Sequence, residues 1–81
     1  MTVHTMATPQ REQTARLLVL LRRYVVDQLR QYPFLLPSVQ ALREAARAFG
    51  RNDLQQAHRK GMEAYQFIMR TRDAYPGMPL P

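Results

Sequence analysis

Apolar residues recur along this chain at three- and four-residue intervals in three separate blocks, the spacing of amphipathic helices rather than of strands. The first block is the richest and reads LLVLLRRYVVDQLRQYPF over residues 17 to 34. Leu18, Leu21, Val25, Leu29 and Tyr32 share one stripe of a helix, and Leu17, Leu20 and Tyr24 widen it. Val19 and Val26 fall on the other side, among Arg16, Arg22, Arg23 and Arg30. A helix that covers one side of a small core has no need of these two valines, and apolar residues on an arginine face imply a partner that covers them. Thr8 followed by Pro9 reads as an N-cap and first helical residue. The predicted helix spans 9–31 and stops where Pro33 disfavours helical backbone at Tyr32.

The connector YPFLLPS is bounded by prolines, yet Phe34, Leu35 and Leu36 are too apolar for a free linker and are expected to pack under the helices. A second helix over 38–49 carries Val39, Leu42, Ala46 and Phe49 at helical spacing, with Gln40, Arg43, Glu44 and Arg47 facing away. Gly50 supplies the left-handed residue that commonly ends a helix. Asn52 or Asp53 then offers an N-cap, with Gln55 or Gln56 three residues on as in a capping box. The third helix, over 53–72, places Leu54, Ala57, Gly61, Ala64, Tyr65 and Ile68 on its stripe. A glycine there costs about 1 kcal/mol against alanine and points to close approach by a neighbour. Met62, Phe67 and Met69 lie beside that stripe and suit either ordinary core or an adaptable contact surface.

The connection between the second and third helices is so short that they must lie antiparallel, with the first packed across them. The predicted fold is all-α, a three-helix bundle with an extended Pro/Gly-rich C-terminal tail. Residues 1–8 form a flexible N-terminus, 9–72 the helical domain and 73–81 the tail, which proline and glycine keep out of the helix. Leu18, Leu21, Val25, Leu42, Phe49, Ala57, Tyr65 and Ile68 are the expected core.

At 81 residues this is one domain with a modest core and no room for a deep substrate cleft. There is no cysteine, hence no disulfide framework, thiolate nucleophile or cysteine metal site. His4 and His58 have no second ligand at a metal-binding spacing, and Ser38, the single serine, lacks a glycine elbow or an evident base. No catalytic residue, metal site or intrinsic cofactor is expected. The longest apolar run, Leu17 to Leu21, falls far short of a membrane span. The first residues lack the basic start and apolar core of a secretory signal, while 9–31 fit a mitochondrial presequence loosely.

Twelve Lys plus Arg face six Asp plus Glu, and eleven of the twelve are arginine, the side chain suited to bidentate carboxylate or phosphate contacts. Arg16, Arg23 and Arg30 are spaced by seven and lie along one strip of the first helix. Asp27 can pair with Arg23 and Arg30 at four and three residues. The expected partner-binding set is Arg16, Val19, Arg22, Arg23, Val26, Arg30, Arg43 and Arg47. It suits an adaptor or accessory subunit that binds an acidic protein. The alternative is a nucleic-acid-associated protein, such as a peripheral ribosomal subunit, although no helix-turn-helix or RNA-binding signature is visible. Self-association through the surplus valines is compatible with either.

Taken in order, Leu21-Arg22-Arg23, Leu29-Arg30, Leu42-Arg43, the helix end Phe49-Gly50-Arg51-Asn52 and Gly61 resemble the LYR-motif family of small basic mitochondrial three-helix proteins. Arginine stands at position 22 where that motif has tyrosine, Tyr24 comes two places late, and the stretch from Phe49 to Gly61 is short for the family. The resemblance implies a mitochondrial subunit or assembly factor; otherwise the chain is expected to be cytoplasmic. It also implies docking of an acyl carrier protein, whose acidic helix would meet Arg22, Arg23, Arg30, Arg43 and Arg47. The acyl-phosphopantetheine carried by that partner would then be the one cofactor involved.

Overall fold

The computed structural model describes residues 3–81, with side chains from Gln10 onward. Three helices, α1 (Val3–Gln28), α2 (Leu36–Gly50) and α3 (Leu54–Ala74), form an all-helical bundle, and a short 3-10 turn, Pro33–Leu35, joins the first two. No strand occurs among the described residues.

Helix α1 begins upstream of the predicted Thr8–Pro9 start, with Pro9 inside it. Proline removes one rung of the ladder and raises the cost of the turn before it without forbidding that turn. The flexible segment expected over 1–8 falls outside the described residues at positions 1 and 2, and is described by its backbone alone from Val3 on. At the other end α1 stops at Gln28 rather than 31. Tyr32 leaves the helical region at φ −127°, ψ 74°, since the following proline disfavours α backbone there. The chain tightens beforehand, with the Gln31 N–H donating to the Gln28 carbonyl at 3.1 Å.

Helix α2 starts with Pro37 in its first turn, and Ser38 Oγ, which is buried, donates to the Leu35 carbonyl at 2.6 Å. Of the three apolar connector residues Phe34, Leu35 and Leu36, only Leu35 is buried; Leu36 is exposed and Phe34 stacks on Tyr75 with ring centroids 4.4 Å apart. Gly50 is not left-handed. That conformation belongs to Asn52, at φ 63°. The Asn52 N–H donates to the Phe49 carbonyl at 2.9 Å and the Asp53 N–H to the Ala48 carbonyl at 2.9 Å, the paired bonds of a Schellman motif with asparagine in the glycine position. Asp53 then caps α3 by accepting from the Gln56 N–H at 3.2 Å. The Gln56 side chain accepts from Arg59 instead of reaching back as in a capping box. Arg11 of α1 braces this turn, donating to Asn52 Oδ1 at 2.9 Å while its guanidinium lies 4.4 Å from the Phe49 ring centroid.

The buried stripe of α2 is Ser38, Ala41, Ala45 and Ala48, one residue out of register with the expected Val39, Leu42, Ala46 and Phe49. The buried residues of α3 are Ala57, Gly61, Ala64 and Ile68, and α2 and α3 form the most extensive helix pair of the bundle. Small side chains let two helices approach closely, so the alanines take the contact and the larger Val39 and Leu42 pack from its flank. Helix α1 lies over this pair through Leu21, Tyr24 and Val25, with Leu17 and Leu29 half-buried. Of the expected core, Leu21, Val25, Ala57 and Ile68 are buried, whereas Leu18, Leu42, Phe49 and Tyr65 are only half-buried. A Cβ at Gly61 would stand 2.9 Å from Leu18 Cδ2 and 3.1 Å from Leu17 Cδ2, so the glycine marks the closest approach of α1 to α3.

The carboxyl segment is not an extended tail. It turns back after α3, with the Met78 N–H donating to the Tyr75 carbonyl at 3.0 Å, and Met78 enters the core beside Leu21, Leu35 and Ile68 with 1% of its surface exposed. Two side chains hold its backbone: Tyr24 Oη donates to the Pro79 carbonyl at 2.7 Å, and Arg72 Nε to the Met78 carbonyl at 3.0 Å. Proline and glycine end the helix, but a chain that leaves a helix can still bury a methionine where the core has a vacant edge.

Candidate docking surface on the first helix

Core packing on one side of α1 leaves the opposite side to solvent. Val19 and Val26 are each 64% exposed and Leu20 50%. Leu20 therefore belongs to this outward band and not to the core stripe. Arg16, Arg22, Arg23 and Arg30 are exposed around it. Asp27 forms no ion pair within 4 Å with Arg23 or Arg30; the pairs described join Lys60 to Glu44 at 2.9 Å and to Glu63 at 3.2 Å. Among the described residues Arg16, Arg22 and Arg23 of α1 make no ion pair, whereas Arg11 is engaged with Asn52 and Phe49.

Two grooves flank α1. The larger, about 610 Å³, runs between α1 and the carboxyl segment and is lined by Ala15, Arg16, Val19, Leu20, Arg23, Tyr24, Asp27, Gln28 and Pro79–Pro81. The smaller, about 300 Å³, runs between α1 and α2 over a floor of Val25, Val26, Val39, Leu42 and Ala46, with Arg22 and Arg43 at its rim. The eight residues assigned to partner binding thus separate. Arg16, Val19 and Arg23 meet in the first groove, and Arg22, Val26 and Arg43 in the second. Arg30 lies in the turn beyond the last residue of α1, and Arg47 lines a different surface with Glu44, Arg51, Gln56 and Lys60. The sequence pattern missed Leu20 and the contribution of Pro79–Pro81, because helical periodicity carries no information about where a non-helical segment docks.

Burial pushes the Tyr24 phenol above its ordinary range; the Arg72 charge works against this and Tyr32 adds to it. Lys60 is also raised, by its hydrogen bonds to Glu44 and then Glu63. No group of three or more His, Cys, Asp or Glu side chains gathers as a metal site among the described residues, and no described helix is long and apolar enough to cross a membrane. What α1 offers is guanidinium donors beside apolar side chains, chemistry suited to carboxylates together with apolar groups. No family model, curated protein or solved structure matches the chain.

Proposed function

We propose that this protein is a noncatalytic helical adaptor or accessory subunit that binds an acidic protein partner with the outward face of α1. One observation carries the reading: Val19, Leu20 and Val26 stand exposed beside Arg16, Arg22 and Arg23, which make no ion pair among the described residues. A solvated helix face has no use for that apolar band, and a surface that only tracks phosphates does not need one. The resemblance to LYR-motif proteins supports a mitochondrial complex as the setting and acyl carrier protein as the partner, with the acyl-phosphopantetheine arriving on that partner.

The test is titration of the chain with acyl carrier protein, wild type against the Arg23→Glu/Arg30→Glu double variant. Binding should weaken at least tenfold, about 1.4 kcal/mol, while helical circular dichroism is unchanged, because surface substitutions shift stability by no more than about 0.5 kcal/mol each. Equal affinity for the two proteins sinks the role given to the arginines. Tighter binding to an RNA or DNA oligomer, with a steep loss on adding salt, favours the nucleic-acid reading instead.

A further inference from the structure

We propose that the carboxyl segment Gly77–Pro81 is the second wall of the partner site on α1, and that the groove takes an acidic amphipathic helix of another protein only while that segment is docked. The proposal rests on the reading of α1 as a partner face and adds a structural requirement to it.

The segment is anchored from below and open above. Met78 is buried, and its own carbonyl and that of the following Pro79 are held by Arg72 and Tyr24. Beyond this anchor Leu80 is 63% exposed, although Pro79, Leu80 and Pro81 all line the groove. A segment that blocked the site would cover the apolar band of α1. This one leaves Val19 at 64% and Leu20 at 50% exposure, so it stands beside the band and deepens the groove without filling it.

The walls also restrict the occupant. Neither Pro79 nor Pro81 has an N–H to offer, and α1 satisfies its own backbone, so an incoming strand finds no ladder to join. A helix needs none. Arg16 and Arg23 are two turns apart, about 10.5 Å along the axis. Carboxylates seven residues apart on an incoming helix match that distance, with apolar side chains between them falling on Val19, Leu20 and Leu80. Arg16 and Arg23 are the cationic side chains of the groove and Asp27 its acidic one, so the charge that matches carboxylates on an occupant lies at the two arginines.

The probe is a synthetic helical peptide with leucines on one face and two glutamates seven residues apart, its binding to the full chain followed by fluorescence anisotropy. Leu80→Ser changes an exposed residue, and Tyr24→Phe removes the bond to Pro79 while keeping the ring. Each should weaken the peptide by about fivefold or more, and Arg16→Glu/Arg23→Glu by at least about tenfold. If both tail variants bind like wild type, or more tightly, while the arginine variant is impaired, the wall is refuted and the partner face survives. If the arginine variant also binds like wild type, or the wild-type chain ignores the peptide, both are refuted.

Discussion

Asn52 performs the task that the sequence pattern assigns to Gly50, and the two positions respond to substitution in opposite ways. Gly50 is helical, and a Cβ there meets nothing within 4 Å. Gly50→Ala should therefore raise stability by about 0.5–1 kcal/mol through helix propensity and a less flexible unfolded chain, read as a higher midpoint in thermal unfolding. Asn52 holds φ 63° and accepts from Arg11. Asn52→Gly keeps the backbone and loses only the Arg11 bond, whereas Asn52→Ala loses that bond and adds about 1–2 kcal/mol of left-handed strain. Equal losses in the two variants would show that the bond, and not the backbone, governs the turn. At Gly61 the nearest atoms are the ends of flexible leucines, so Gly61→Ala trades closer packing against a propensity gain of about 1 kcal/mol and stays near neutral. Gly61→Val adds branched bulk and should cost about 1–3 kcal/mol in urea unfolding.

At the scale of elements, the number and order of helices are legible from periodicity alone, and so is the outward position of Val19 and Val26. The face that α2 turns inward is not. A pattern that weights Val39, Leu42 and Phe49 above alanine selects the larger side chains, while the α2–α3 contact selects the smallest. The carboxyl segment hides for a related reason: one methionine among prolines has no period, and its docking depends on a tyrosine far away in the chain. That docking gives the segment its own pH dependence. Tyr24 must carry its proton to donate to Pro79, and burial raises its pKa in the folded state above the ordinary 10.0. A raised folded pKa means stability that is fully present below the unfolded value and lost as pH rises through the folded one. The Lys60 pairing acts in the same direction. Unfolding midpoints should stay level from neutrality to about pH 10 on this account and fall above it. Tyr24→Phe should flatten that alkaline fall; if the slope is unaltered, the tyrosine is not its cause.

For the whole molecule, the opposition between charge and apolar surface on α1 decides how the protein behaves alone and in company. A chain of net charge +6 repels a second copy of itself, and the apolar band attracts one. Screening lengths shrink from about 10 Å at 0.1 M salt to about 3 Å at 1 M, so added salt should promote self-association in light scattering while weakening a complex with an acidic partner. A shared nonspecific stickiness would shift both in one direction. The apolar share of the contact has a bound: covering the exposed two-thirds of two valines contributes roughly 2 kcal/mol, at about 1.5 kcal/mol for each fully buried side chain. On the proposed function that suffices to modulate a complex, not to drive one, and orientation and much of the specificity would fall to the arginines. Val19→Ser/Val26→Ser should keep the free chain monomeric even at high salt and leave its unfolding midpoint almost unchanged. The same variant should weaken the complex by about ten- to thirtyfold, since 1.4 kcal/mol is a factor of ten. An unfolded double variant would instead make the valines part of what holds the bundle together, and the outward face of α1 would lose its claim to a partner.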